Sequence, residues 1–235
     1  MHSSPPFSRE EYLRRQSALL AQIDTSTVLL VPTNPVMRRS HDVNFPYRAS
    51  SSILYLSGWG EPNALFAAWH DEGEWVTALF VRDKDEAAER WEGRRVGVQG
   101  ALDNWPVDRA FPHPSRLEVL QPILEKRKTV ALLQGFDKDV DEFVIEMIAE
   151  RNRNKTVTGR GPSSLMDPYP ILAELRLRKS DSEIEQMRES ASIAVDAHLS
   201  AMRKTSGATT ESEIQSNIEA VFTRNNSQCS YGSIV

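Results

Sequence analysis

The chain has 235 residues, of which 40% are hydrophobic and 26% are charged, and its formal net charge is −5. This composition is ordinary for a globular protein, and no apolar run approaches the roughly 20 residues of a membrane span. The negative charge gives no general attraction for nucleic acid, and the single cysteine, Cys229, excludes an intrachain disulfide. Because Met1–Phe7 lacks the pattern of a secretion signal, we expect a soluble cytoplasmic protein.

The amino-terminal segments predict a helix followed by a buried strand. Ser8 and Glu11 have the capping-box spacing of a helix start. Thr27–Val31 is a continuous apolar run, typical of a strand covered on both faces. The polar, proline-broken segment Pro32–Ser52 predicts a long surface loop. Its polar side chains either contact a ligand or are simply solvated: Arg38, Arg39, His41, Asp42, Tyr47 and Arg48.

The next segments predict a β-meander. Ile53–Leu56 is a strand candidate, and Ala64–Trp69 and Trp75–Val81 predict two strands joined by a glycine-containing hairpin loop. A short helix is expected from about Lys84 to Trp91. Prolines predict an irregular connection between Val98 and Pro114.

Alternation of helix and strand continues to about residue 152. Ser115 predicts the cap of a helix that reaches Glu125, Thr129–Leu133 predicts a buried strand, and Asp137 introduces a helix. Such alternation is typical of an α/β domain, in which helices flank a mixed β-sheet.

Arg151–Pro162 is basic and poor in apolar residues, as interdomain connections often are, and a short strand near Lys155–Val157 is an option within it. Beyond it, Ile171–Lys179 predicts a short helix, and Ser180 and Thr210 each begin a capping box followed by apolar residues at helical spacing. The apolar faces of these two helices require a partner. The tail that contains Tyr231 and Ile234 has the residues of a strand start.

Self-contained catalytic motifs are absent from the sequence. It has no His-Glu-x-x-His zinc helix, no Cys-x-x-Cys pair, no phosphate-binding glycine loop and no Gly-x-Ser-x-Gly turn. His198 and Cys229 are interpreted as packing residues. The cluster of Trp91, Arg94 and Arg95 is different, because an aromatic ring beside two guanidinium groups suits either a carboxylate or a partner chain. The alternative is a tryptophan packed on its own domain beside surface arginines.

Several short segments, in order over nearly the whole chain, form one pattern. They are Tyr47-Arg48, Ile53-Leu-Tyr-Leu-Ser-Gly-Trp-Gly-Glu-Pro62, Arg82-Asp83, Glu89-x-Trp91-x-Gly93-Arg94-Arg95-x-Gly97, Val107-Asp108, Glu174-Leu-Arg-x-x-Lys179-Ser180, Glu183-Ile184, Met187-Arg188 and Ser230-Tyr-Gly-Ser-Ile-Val235. This pattern resembles the Xaa-Pro aminopeptidase (aminopeptidase P) family, which is related to prolidase and creatinase.

The resemblance implies a two-domain metallopeptidase that releases the amino-terminal residue preceding a proline. Its first domain is a mixed α/β sheet flanked by helices, and its second has the pita-bread fold. It also implies two divalent metal ions, commonly manganese, held by two aspartates, a histidine and two glutamates. In the family these ligands follow the strand that the tail of this chain resembles, so no residue here is assigned to a metal.

The resemblance therefore divides the chain at residue 161. Residues 1–161 are expected to form the aminopeptidase P amino-terminal domain, and residues 162–235 the linker and opening helices of an incomplete pita-bread domain. Proline-containing peptides and further copies of the chain are the implied partners. The chain by itself is expected to be inactive. The alternative is a non-catalytic binding or oligomerisation module that shapes a substrate cleft or partner interface.

Two segments carry the candidate contacts of either hypothesis. Trp91, Arg94 and Arg95 are the expected contacts with substrate or a partner. Tyr231 is expected either near the active site of an intact enzyme or in a core.

Overall fold

The structure is a computed structural model that describes residues 4–154 and 159–234. It divides into two compact units, Met1–Leu177 and Arg178–Val235. The strands are β1 (Thr27–Pro32), β2 (Arg38–Ser40), β3 (Val43–Asn44), β4 (Leu65–Asp71), β5 (Glu74–Val81), β6 (Arg109–Pro112), β7 (Thr129–Leu132) and β8 (Ser164–Met166). The helices are α1 (Arg9–Leu20), α2 (Ser51–Ser57), α3 (Glu86–Glu92), α4 (Gly97–Asn104), α5 (Arg116–Leu124), α6 (Lys138–Asn154), α7 (Tyr169–Leu177), α8 (Asp181–Thr205) and α9 (Glu211–Arg224).

The first unit is built on a six-stranded sheet in the order β6-β5-β4-β1-β7-β8, counted over the described residues. β4 runs antiparallel to β1 and β5, whereas β5 and β6, β1 and β7, and β7 and β8 are parallel pairs. β1 lies between β4 and β7 and is buried along its whole length. The predicted mixed sheet with flanking helices is confirmed.

Helices cover both faces of this sheet. Because alternate side chains of a strand point to opposite faces, Leu29 and Val31 of β1 pack into one core, and Val28 and Leu30 into the other. The first core also takes residues of α1, α2, α4 and α7, and the second takes residues of α5 and α6. Those helical residues include Leu19, Ile53, Leu56, Ala101 and Leu172 in the first core and Leu120, Leu124, Val140 and Val144 in the second.

Helices begin directly after all four predicted cap residues, Ser8, Ser115, Ser180 and Thr210, but the predicted side-chain cap forms at two of them. Ser8 accepts a hydrogen bond from the Glu11 amide, and Ser180 forms the complete capping box with Glu183. The helix starts as predicted after Ser115, but the Ser115 hydroxyl donates to the Pro112 carbonyl and caps no amide. The helix also starts as predicted after Thr210, but the predicted capping box does not form, because the preceding residue, Thr209, binds the Glu213 carboxylate.

The predicted strand at Ile53–Leu56 is wrong, because these residues form the middle of α2. Ser50 caps this helix by accepting from the Ile53 amide, and Gly58 ends it in the left-handed conformation with φ of 71°. A Cβ at Gly58 would lie 2.4 Å from the Tyr12 hydroxyl, so only glycine fits this close approach. The two caps therefore override the β-preference of the apolar residues between them.

Two predicted irregular segments contain regular structure. Between Val98 and Pro114 the chain forms nearly all of α4 and then β6; Pro106 lies in the turn between them, and Pro112 ends an edge strand. Pro32–Ser52, predicted as a loop, contains the small β2–β3 hairpin and the first residues of α2. The short strand considered near Lys155–Val157 lies outside the described residues.

The first unit continues past the boundary predicted at residue 161. β8 pairs with β7, and Leu172 of α7 is buried in the core that α1 and α2 share. The second unit contains the predicted helices α8 and α9, and large apolar side chains of α8 remain exposed: Met187, Val195, Leu199 and Met202. Its assignment to a pita-bread domain stays a prediction. Among the described helices none is long and apolar enough to cross a membrane.

The tail at residues 227–234 forms no strand, contrary to the prediction. A strand needs a neighbour for its backbone hydrogen bonds, and the described elements of the second unit are both helices. The β-forming residues of the tail alone are therefore not sufficient to form a strand.

Candidate interaction site

The most exposed part of the predicted site is α3, which follows β5 at one end of the sheet. Asp85 caps this helix by accepting from the amides of Ala87 and Ala88, and Gly93 ends it. No residue of α3 is buried, and 90% of the Trp91 side chain is exposed. The predicted alternative, a tryptophan packed on its own domain, does not describe Trp91.

A single carboxylate holds α3 against the domain. The Oε2 atom of Glu92 accepts from Arg82 Nη1 at 3.0 Å and from Arg95 Nη2 at 2.9 Å. Arg95 also donates from Nη1 to the carbonyl of Asp83. We call Arg82, Glu92 and Arg95 the Glu92 clasp. It joins the start of the α3 segment to its end.

Glu61 anchors the clasp to the sheet. This carboxylate is only 5% exposed; Oε1 accepts from the Val96 amide at 2.9 Å, and Oε2 lies 3.5 Å from Arg82 Nη2. Arg82 directly follows β5, so its guanidinium connects the sheet to both acids. The residues before and after α3 are thus fixed to one buried group.

The charges of the clasp support one another. The hydrogen bond from Arg95 is the main cause of a lowered pKa of Glu92, and the charges of Arg95 and Arg82 lower it further, against the effect of burial. The same hydrogen bond raises the pKa of Arg95. Glu92 is therefore the charged partner of both arginines at neutral pH.

The structure separates the predicted residues into two roles. Arg95 is bound to Glu92 and Asp83, whereas Trp91 and Arg94 lie exposed. Arg94 enters no ion pair within the described part of the chain. Glu61, Arg82 and Glu92 were not predicted from the sequence as parts of this site, although Glu61 and Arg82 belong to the family-like segments and Glu92 has i,i+3 spacing to Arg95. Contact of Trp91, Arg94 and Arg95 with a substrate or partner stays a prediction.

The residues considered as ligand contacts in the β2–β3 region divide in the same way. Tyr47 shares a hydrogen bond of 2.7 Å with the Thr33 hydroxyl, and Arg48 donates to the Ala49 carbonyl and to the Ser51 hydroxyl. These bonds fix the chain as it returns to the sheet. The other candidates, Arg38, Arg39, His41 and Asp42, lie in the hairpin, where all residues are exposed.

Tyr231 lies in the tail of the second unit and is 74% exposed. With residues of α8 and α9 it lines a groove of about 800 Å³, which also contains His198, Phe222 and Cys229. Tyr231 is thus not a core residue of this unit. Its predicted place near an active site stays a prediction.

An ionic cluster that the sequence argument did not identify lies at the carboxyl edge of the sheet. Arg116 donates to both carboxylate oxygens of Asp137, at 2.9 and 3.1 Å, and to Asp139 at 2.7 Å. His113 Nε2 lies 3.6 Å from Asp137, which also accepts from the Val140 amide. The cluster joins α5 to the first turn of α6. The Arg116 guanidinium donates to Asp137, Asp139 and the His113 carbonyl within the cluster.

The described residues do not fit a metal centre. They contain no group of three or more His, Cys, Asp or Glu side chains that could hold a metal ion. The described residues therefore contain no ligand set for the metal pair that the family resemblance implies. We assign no metal-dependent reaction step to them.

Comparison with known proteins identifies the first unit. The family model described as "Aminopeptidase P, N-terminal domain" matches residues 12–132. The chain belongs to this family. The matched residues run from α1 to β7 and include the Glu92 clasp and Glu61. The resemblance seen in the sequence is confirmed.

Similarity to known aminopeptidases extends beyond this domain to the rest of the chain. The Xaa-Pro aminopeptidase of Escherichia coli (strain K12) is 31% identical over 230 residues, which cover 97% of this chain and 52% of the relative. The Haemophilus influenzae enzyme of the same name is also 31% identical and is covered to 50%. The solved low-pH form of E. coli aminopeptidase P superposes with a TM-score of 0.85 at 30% identity, covering 93% of this chain and 50% of that one. The chain spans about half the length of the relatives it matches.

Proposed function

We propose that this chain is the amino-terminal part of a metal-dependent Xaa-Pro aminopeptidase, which releases the residue that precedes a proline. The observation that carries this proposal is the 31% identity to the E. coli enzyme over 97% of the chain, together with a coverage of only 52% of that enzyme. In the proposal the remaining half supplies the ligands of two divalent metal ions, commonly manganese in this family, and a proline-containing peptide is the substrate. A cytoplasmic location and a homo-oligomer belong to the same proposal.

The first test is peptidase activity. We expect the purified 235-residue chain to release no amino-terminal residue from a Xaa-Pro peptide in the presence of manganese, since the described residues offer no metal ligand group. A chimera that joins this chain to the carboxy-terminal half of the E. coli relative should release it, and a chelator should abolish the release. Mass spectrometry of the products measures both. Manganese-dependent release by the chain alone, or none by a folded chimera that binds manganese, would contradict the proposal.

A second candidate function is a binding or assembly module. It is favoured by Trp91, a large aromatic side chain that is 90% exposed on a helix without buried residues, because tryptophan is enriched among the residues that supply most of the binding energy at interfaces. In this proposal Trp91 and Arg94 contact another copy of the chain or a substrate.

Sedimentation velocity tests this module. We expect a dimer or larger species that Trp91→Ala weakens by about tenfold or more, as truncation of an aromatic anchor does at an interface. Trp75→Phe, a conservative change in β5, is the control. A chain that sediments as a monomer, with or without Trp91, would rule out self-association through this surface.

A further inference from the structure

The helix α3 lacks the buried apolar side chains that usually hold a helix against its domain. It has seven residues, too few for a stable isolated helix, and none of them is buried. Apolar packing therefore does not fix its position. Its ionic contacts among the described residues are the Glu92 clasp and, through Arg82 and Val96, the anchor at Glu61, while Ala88 and Glu89 are half-buried.

Glu92 is the centre of these contacts. One carboxylate oxygen bridges two guanidinium groups whose side chains are each only 14% exposed. Without the negative charge of Glu92, whose side chain is 51% exposed, Arg82 and Arg95 would face each other as like charges. Glu61 would neutralise Arg82 only in part, at its longer distance of 3.5 Å. Loss of the Glu92 charge thus removes an attraction and creates a repulsion.

The position of Glu92 in the helix links the clasp to Trp91. Successive residues of an α-helix point about 100° apart, and residues three or four apart share a face. Ala88 and Glu89 are half-buried and lie four and three residues before Glu92, whereas Arg90, Trp91 and Glu92 are exposed. With the Glu92 carboxylate bonded to Arg82 and Arg95, the Trp91 side chain is 90% exposed.

We propose that Glu92 is the positioning residue of this surface, because its bridge to Arg82 and Arg95 orients α3 so that Trp91 is presented to a second copy of the chain. The importance of the orientation for binding rests on the proposed assembly module, but the orientation itself does not. The clasp is ionic, so salt and the charge at position 92 control it. A hydrophobic attachment would respond to neither.

The test compares Glu92→Gln with Glu86→Gln in the full chain. Both changes remove one negative charge from α3, but Glu86 is exposed and enters no ion pair among the described residues. Hydrogen exchange measures the protection of the α3 amides. Fluorine NMR of protein labelled with 5-fluorotryptophan measures the mobility of the Trp91 indole, whose signal is assigned with Trp91→Phe.

We expect Glu92→Gln to speed exchange in α3 by about 3- to 10-fold and to sharpen and shift the Trp91 signal alone. Exchange in β4 and β5 and the signals of the buried tryptophans should not change. Salt at roughly 1 M should produce the same changes in the wild type and little further change in Glu92→Gln. Glu86→Gln should resemble the wild type.

Three results would overturn the proposal: unchanged exchange in Glu92→Gln, wild-type exchange that is independent of salt, or an equal effect of Glu86→Gln. A shift of all tryptophan signals would also count against it, since it would indicate a general structural change. The association measured by sedimentation is a separate readout. A monomeric wild type would remove the assembly module and leave the positioning of Trp91 by Glu92 measurable.

Discussion

Trp59→Ala is expected to lower the free energy of unfolding by about 3–4 kcal/mol. Trp59 is completely buried, and its ring packs edge-on against Trp105 with 5.0 Å between the ring centroids. Removing the indole leaves a cavity between α2 and the turn before β6. The loss falls in the lower part of the usual range for tryptophan, because the buried Nε1 of Trp59 has no hydrogen-bond partner among the described residues. Urea denaturation followed by circular dichroism measures it.

Trp91→Ala is the matched control for Trp59→Ala, since it deletes the same atoms at an exposed position. We expect it to change the free energy of unfolding by less than about 0.5 kcal/mol. Trp59→Phe keeps an aromatic ring and removes the unpartnered N–H, so it should cost less than Trp59→Ala. Equal losses for Trp59→Ala and Trp91→Ala would show that the core around Trp59 is not packed as described.

Asp137→Asn is expected to destabilise the first unit in a pH-dependent way. Burial by itself would raise the pKa of Asp137, but hydrogen bonds from His113 and Arg116, the Arg116 charge and the Val140 amide together hold this pKa well below its usual range. A carboxyl whose pKa is lower in the folded state stabilises the fold above its unfolded pKa of about 3.9. That contribution decreases as the pH falls through the folded pKa.

The free energy of unfolding of the wild type should therefore exceed that of Asp137→Asn by about 1–3 kcal/mol at neutral pH. This difference should shrink below about pH 4. Urea denaturation at a series of pH values measures this difference. Lys138→Gln, a charge change at the next residue, is the control, because Lys138 pairs only with the exposed Glu142 in the described structure. A difference that is constant from neutral to acidic pH would show that the charge of Asp137 is not what stabilises the cluster.

The sequence predicted those elements whose signals are local and agree with one another. Ser180 and Glu183 are close enough to form their capping box from the sequence alone, and the apolar run Thr27–Val31 has no stable place except between other strands. The two strands that meet at Gly73 are likewise specified by a short turn, in which Gly73 adopts φ of 95°. Such features need no information from distant residues.

Where local signals compete, the outcome depended on neighbours. Ile53–Leu56 has β-forming residues, yet the caps at Ser50 and Gly58 make it helical, and its Ile53 and Leu56 side chains then fill the core under the sheet. The tail with Tyr231 has the opposite outcome, since a strand without a neighbouring strand leaves its backbone hydrogen bonds unmade.

The candidate site shows the same division between sequence and tertiary structure. The sequence by itself determined the family, the mixed sheet and the choice of Trp91, Arg94 and Arg95, because these depend on residue types in a fixed order. Only the tertiary structure decided that Arg95 faces Glu92 while Trp91 faces outward. Glu61, Arg82 and Val96 lie far apart along the chain, and the pairing of strands on either side of them brings them together. Glu92 and Arg95 have the local i,i+3 spacing of a helical ion pair, but the contacts of Glu61 with Arg82 and Val96 and that of Arg82 with Glu92 leave no local pattern, so the fold had to be known before the whole clasp could be identified.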